Sequence, residues 1–198
     1  MSHKLEQEVK FYLNDLKAFE ERLIASGALL KLERSLETNL RFDTPDWRLS
    51  KSFQALRLRQ DKICRLTWKG AGNPEGEVSA REELEVEVSD LDTARGILEG
   101  LGFELMLVYE KYRSAYMLGE VEISLDEMPF GNFCEVEGPD IESIKNAAAL
   151  LDLDWEKRST LSYLALFNEV KEKRDLKMRD LTFENFKGIN LTQQDLGF

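Results

Sequence analysis

The chain has 198 residues, 42% of them hydrophobic and 33% charged, and carries a net charge of −11. That length supports one domain with a real core, and the composition is globular rather than disordered. The acidic balance argues against a general attraction to a nucleic-acid polymer or an anionic membrane, both of which need a positive field, but leaves room for a local positive cavity.

The start, Met1-Ser2-His3-Lys4-Leu5-Glu6, lacks a signal-peptide core, and no apolar run along the chain approaches the roughly 20 residues of a membrane span. A cytoplasmic location is the expectation. His3 is the only histidine. Chemistry must therefore rest on carboxylates, amines and guanidinium groups rather than on a His triad or a His-rich zinc site. Leu5 to Leu13 reads as a strand. Asn14 is a helix cap for a segment through Leu16, Phe19, Leu23 and Ile24 that stops near Gly27. Asn39 to Phe42 reads as a short strand ended by the turn cluster Asp43-Thr44-Pro45-Asp46. Phe53 to Gln60 and Ile63 to Lys69 form a predicted hairpin, followed by a loop from Gly70 to Gly76. Ser79 to Val88 is another strand, and Ser89 or Asp90 caps a helix through Leu101. Four further strands are predicted at Glu104 to Tyr109, Lys111 to Leu118, Glu120 to Asp126 and Asn132 to Gly138. Asp140 to Leu151 and Thr160 to Lys173 read as helices. Cys64 and Cys134 lack CxxC spacing and read as reduced structural thiols. No Gly/Pro/Ser-rich linker divides the chain. The order of elements favours an antiparallel α+β fold.

Side chains alternate between the two faces of a strand. Glu6, Glu8 and Lys10 therefore share a face. So do Arg57 and Arg59; Arg65, Thr67 and Lys69; Arg81, Glu83, Glu85 and Glu87; Lys111 and Arg113; Glu120, Glu122, Ser124 and Asp126; and Phe133, Glu135 and Glu137. An amphipathic sheet with one face in water explains any single strand. The set differs from ordinary solvent faces, being almost entirely Glu, Arg and Lys. The amphipathic helices also need an apolar surface to cover. If they cover the outside, the charged faces turn inward and line a tunnel with both signs of charge. Such a lining is costly unless it binds something. An anion of several charges, held by Arg and Lys, together with divalent metal held by carboxylates, satisfies both sets. There is no GxxxxGK[ST] loop to cradle phosphate.

These strands resemble the CYTH family, which groups class IV adenylyl cyclases and thiamine triphosphatases and is also called the triphosphate tunnel metalloenzymes. The likeness runs through Glu6-x-Glu8-x-Lys10, Arg57-x-Arg59, Leu66-Thr67-Trp68-Lys69-Gly70, Arg81-Glu82-Glu83-Leu84-Glu85, Lys111-x-Arg113, Leu125-Asp126 and Gly131-x-Phe133-x-Glu135-x-Glu137. Ser162-Tyr163 stands near the family's usual end. The resemblance implies a closed eight-stranded antiparallel β-barrel with helices on the outside, spanning residues 1–170. Residues 171–198 form an extension packed on or near it. It implies that Lys10, Arg57, Arg59, Lys69, Lys111 and Arg113 grip a triphosphate. Glu6, Glu8, Glu135 and Glu137 lead the ligands for Mg²⁺ or Mn²⁺, with Glu83, Glu85 and Asp126 completing the metal shells or orienting the cations. Lys10, Lys111 and Glu8 are the catalytic candidates. The implied partner is a small-molecule triphosphate. The oligomeric state stays open, a homodimer included. Arg41 stands where relatives often carry an aromatic residue, and is either an extra phosphate ligand or a solvated charge. Hydrolysis, cyclisation of ATP to cyclic AMP, and binding without turnover all fit this lining. No His-Phe pair of the kind seen in some cyclase-type members occurs near the start, which favours hydrolysis.

Overall fold

The computed structural model describes residues 4–72 and 76–197, with Lys4 seen in its backbone only. His3 and part of the predicted 70–76 loop lie outside the described residues. Eight strands form the molecule's wall: β1 (Lys4–Leu13), β2 (Leu29–Asp43), β3 (Ala55–Gln60), β4 (Cys64–Lys69), β5 (Ser79–Val88), β6 (Glu104–Leu118), β7 (Val121–Met128) and β8 (Gly131–Glu137). They close in the order β1-β5-β4-β3-β2-β6-β7-β8, every neighbour antiparallel. Closure leaves no free sheet edge around the ring. The expected closed eight-stranded antiparallel barrel is the observed fold.

The helices sit outside, where the apolar strand faces point. Helices α1 (Leu16–Ala25) and α4 (Ile141–Leu150) bury Phe19, Leu23, Ile144 and Ala148 against Val9, Phe11, Ile123 and Val136. Helix α3 (Leu91–Gly100) lays Ala94 and Leu98 over Leu40, Phe42, Leu56 and Leu58. Asp15, not Asn14, caps α1 by accepting from the Ala18 amide, and Gly27 at φ +87° ends the segment. Asp90 caps α3 and Asp140 caps α4 in the same way.

Two strands are longer than predicted. The expected short strand at Asn39 to Phe42 is the end of a 15-residue β2, and the two strands predicted around Glu110 are one continuous β6. A four-residue helix α2 (Arg48–Lys51) follows the predicted turn. Buried Asp43 organises it by accepting from the Leu49 and Ser50 amides, each at 2.9 Å, and from the Ser50 hydroxyl at 2.6 Å.

The β7–β8 hairpin is short, so β6 outruns β7, and β1 outruns β5. Later segments fill both gaps. Ser159 exchanges backbone hydrogen bonds with Lys10 at 2.9 and 2.8 Å, and Leu181 does so with Glu110 and Val108, each at 2.9 Å. Helix α5 (Tyr163–Arg174) connects these two anchor points and buries Leu166, Phe167 and Val170 with Phe130, Phe133, Leu181 and Phe186. The segment 159–182 thus forms a strap over that end of the barrel, and the tail beyond residue 170 is packed into the wall.

Candidate functional site

Strand register brings the charged faces into one lumen. Across β1, β8 and β7, Glu8, Glu137 and Glu122 stand abreast, then Lys10, Glu135 and Ser124, then Tyr12, Phe133 and Asp126. On the opposite wall Arg41 lies abreast of Arg57 and Thr67, and Asn39 of Arg59 and Arg65. From β6, Tyr109 stands opposite Asn39 and Lys111 opposite Glu37.

Much of this lining is paired. Lys10 binds Glu8 and lies 3.4 Å from Glu135. Lys69 reaches Glu6 at 2.6 Å and Glu83 at 2.8 Å. Arg113 donates from Nε to Asp126 at 2.6 Å and also binds Glu135. Lys111 donates to Asp126 at 3.1 Å and stands 3.7 Å from Glu37. Arg59 lies 3.8 Å from Glu37 and 3.6 Å from Glu85, whose carboxylate also accepts from Thr67 at 2.8 Å. The Tyr163 hydroxyl, entering from α5, donates to Asp126 at 2.7 Å. Asp126 is fully buried, and Lys111, Arg113 and Tyr163 take up its oxygens.

At Glu37, Glu135, Lys10 and Lys69 burial works against the charge, and pairing overrides it. Burial would lift the Glu37 carboxyl, but Lys111, Arg113, Arg59 and Arg57 hold it at about 2. Glu135 is likewise kept well below the carboxylate range by Arg113 and Lys10 against burial. Lys10 and Lys69 are raised above the ordinary ammonium value despite burial, Lys10 by Glu8 and Glu135, Lys69 by Glu8 and Glu6.

One corner differs. The hydrogen bonds of Arg41, Arg57 and Arg81 among the described residues run to neutral acceptors: the Gln54 carbonyl at 3.1 Å, the Tyr109 hydroxyl at 3.0 Å with Asn39 Oδ1 at 3.4 Å, and Ser79 Oγ at 3.1 Å. Arg57 Nε, Arg81 Nε and Asn39 Nδ2 are buried with no acceptor. Burial, reinforced by repulsion from Arg57 and Arg81, pulls Arg41 down to about 10. Burial opposes ionisation of Tyr109, yet Arg57, Lys111 and Arg41 draw its hydroxyl below the usual phenol range. Despite burial, Glu37 and Glu83 act on Arg57 through space and raise it, but no carboxylate hydrogen-bonds these three guanidinium groups among the described residues.

Every residue proposed from the sequence as a triphosphate or metal ligand lies on a strand face turned toward this lumen. Sequence reasoning missed Glu37, Asn39, Tyr109 and Tyr163 and left Arg41 open. Glu37, Asn39 and Arg41 alternate along β2, a signal lost when the strand was started too late. Tyr109 alternates with Lys111 and Arg113, a signal hidden by breaking β6 at Glu110. Tyr163 arrives from a helix, so strand periodicity carries no sign of it.

The acidic residues suit a hard divalent cation in type, since all are carboxylate oxygens. The row Glu8, Glu137 and Glu122 places carboxylates abreast, with Lys10 paired to Glu8 and Lys31 to Glu122. Among the described residues no three acidic groups already form a closed cation cage, and Lys10 and Lys69 hold part of the carboxylate set. No described helix is long and apolar enough to cross a membrane.

Comparison with known proteins agrees with this architecture. The family model for the CYTH domain matches residues 4–183. Adenylate cyclase CyaB of Aeromonas hydrophila is 28% identical over 173 residues, covering 82% of this chain and 88% of that protein. The solved structure of a Vibrio parahaemolyticus protein assigned as an adenylate cyclase superposes with a TM-score of 0.74 at 25% identity, covering 84% of this chain and 99% of that one. HpAC1 of Hippeastrum, described as having a dominant triphosphatase activity, shares the fold with a TM-score of 0.60 at 23% identity, covering 82% and 95%. With a barrel closed in the order observed and a family match running from β1 to the Leu181 anchor, the chain belongs to the CYTH domain family.

Proposed function

We propose that the protein is a metal-dependent phosphohydrolase acting on a triphosphate-containing substrate: inorganic triphosphate, thiamine triphosphate or a nucleoside triphosphate. The observation that carries this reading is the half-buried corner of Arg41, Arg57 and Arg81, whose hydrogen bonds among the described residues run to neutral partners and where Arg57 Nε and Arg81 Nε lack acceptors. Guanidinium groups with open donors, clustered on one wall of the lumen, suit a bound polyanion.

Lys10, Arg57, Arg59, Lys69, Lys111 and Arg113 hold the phosphate oxygens in this reading, and Arg41 and Arg81 extend the grip. Glu6, Glu8, Glu135 and Glu137 would hold Mg²⁺ or Mn²⁺, with Glu83 and Glu85 beside them. The ion, when bound, offsets charge on the phosphate oxygens and lowers the pKa of water. Asp126 acts by orientation, since Lys111, Arg113 and Tyr163 already take up its oxygens. Lys10 and Lys111 face the reacting phosphoryl group and neutralise its developing charge. Glu8 accepts a proton from the attacking water. Holding the chain in line for attack contributes through orientation.

The similarity to CyaB supports a second reading, cyclisation of ATP to cyclic AMP and pyrophosphate. The same grip serves there, but the ribose hydroxyl attacks and the base needs its own slot. Hydrolysis asks only for the charged lining of the lumen. One assay separates these, with purified protein, Mg²⁺ or Mn²⁺ and a panel of triphosphates. Phosphate release without cyclic product is expected. Cyclic AMP with pyrophosphate would transfer the assignment to the cyclase. Tight binding with no turnover would leave a binding module.

A further inference from the structure

Helix α5 docks through Leu166, Phe167 and Val170, all buried in the aromatic cluster beneath it. Tyr163, in the first turn of the same helix, packs at the edge of that cluster and also reaches the lumen charges. Ser162 fixes that turn by accepting from the Ala165 amide at 3.2 Å, and the Tyr163 ring stands in the lumen with 7% of its surface exposed. Lys10 Nζ lies 5.3 Å from the ring centroid and Lys111 Nζ 5.4 Å from it. Both fall within the range at which an ammonium is attracted by an aromatic face. The ring is itself held edge-on by Phe133, with centroids 5.2 Å apart. Its hydroxyl donates to the same Asp126 oxygen that accepts from Lys111. One side chain thus touches a cation from β1, a cation from β6 and the carboxylate of β7 that aligns Lys111 with Arg113.

We propose that Tyr163 is a positioning residue for the two lysines. Its ring face seats the ammonium groups of Lys10 and Lys111, and its hydroxyl limits how far Asp126 draws Lys111 away from the lumen. The proposal rests on the triphosphate reading above. Tyr163 touches no reacting atom in that reading and acts through Lys10, Lys111 and Asp126. Without the ring, Lys10 would keep only Glu8 and Glu135, and Lys111 only Asp126 and Glu37, and each would lose the aromatic contact that fixes where its ammonium points. Helix α5 thereby sets the direction of cations that belong to strands far from it in sequence.

The test varies the ring without changing its size. Position 163 is occupied in turn by phenylalanine and by its mono-, di- and trifluorinated analogues, which weaken the negative ring face step by step. Inorganic tripolyphosphate is the probe, read by calorimetric Kd and by kcat/KM with Mg²⁺, alongside the thermal midpoint of each variant. Tyr163→Phe isolates the hydroxyl and is expected to lower kcat/KM about threefold. From Phe to trifluoro-Phe a further stepwise fall of about tenfold is expected, with the midpoint unchanged. Phe167→Leu is the packing control: it is expected to lower the midpoint and leave kcat/KM within about twofold. A flat fluorination series, or a Phe167→Leu loss as large as that at position 163, overturns the proposal. Turnover by the wild type with a flat series removes the positioning role and leaves the hydrolase standing. Wild-type protein that neither binds nor turns over tripolyphosphate removes both.

Discussion

Arg41 and Arg57 face each other across β2 and β3, and what distinguishes them from the other lumen cations is that their hydrogen bonds among the described residues run to neutral acceptors. Arg57→Ala is expected to weaken tripolyphosphate binding about 10- to 100-fold, the size of one lost charge-assisted contact, measurable by calorimetry. Arg41→Met keeps the apolar stem and removes the charge. Arg41 is pulled down to about 10, so it stays charged at neutral pH and holding that charge in the fold costs stability. Removing that charge is expected to raise the thermal midpoint of the unliganded protein while weakening tripolyphosphate binding. A lowered midpoint would show that Arg41 is satisfied. Glu37 is the opposite case. Its carboxyl lies near 2 against an ordinary 4.5, so the stability it contributes is fully present above pH 4.5 and is lost as pH falls through about 2. Glu37→Gln is expected to flatten that acid limb, by at most about 3 kcal/mol in urea melts taken at each pH. Glu135→Gln and Glu137→Gln are expected to weaken metal-dependent turnover without loss of the fold. Wild-type rates in both would exclude these carboxylates from the site.

The elements show where the sequence was legible and where it was not. Strands β4, β5 and β8 alternate cleanly, and their bounds in the sequence match the structure within a residue or so. Their faces supplied most of the lumen residues. The first half of β2 was illegible because its pairing with β6 shifts register between Leu30 and Leu32 and again between Leu32 and Ser35. Each bulge adds a residue and breaks the period of two. Glu110 interrupted β6 in the sequence because an outward acid looks like a turn. In the structure its carboxylate accepts from the Phe183 amide at 3.0 Å, a contact made by the tail and invisible locally. The strap is the same lesson at larger span: nothing near residue 181 in the sequence says that it pairs with β6. Leu181 is fully buried at that junction. Leu181→Ala is expected to cost about 2–5 kcal/mol in urea unfolding.

Taken whole, the molecule carries a net charge of −11, yet Arg41, Arg57 and Arg81 cluster on one wall of its lumen. Lumen charges held against burial make the unliganded barrel less stable than its strand pairing allows. Tripolyphosphate at 100 times its Kd is expected to add about 2.7 kcal/mol by mass action, a rise of roughly 5–10 °C in Tm for a chain of this size. Sodium sulfate at matched ionic strength, producing the same rise, would show that any anion suffices and remove the specific corner from the argument.

The seam between β1 and β8 joins residues 8–13 to 132–137, and the Lys10–Ser159 bridge reaches further still. A ribosome delivers the first of these partners long before the second. β1 must therefore wait with one edge unsatisfied while more than a hundred residues are translated. The barrel closes only after the β7–β8 hairpin has emerged, so maturation is dominated by late, long-range encounters and proceeds slowly. During that interval the nascent chain displays half-built sheet, and holding it apart from its neighbours becomes a task for the cell's chaperones.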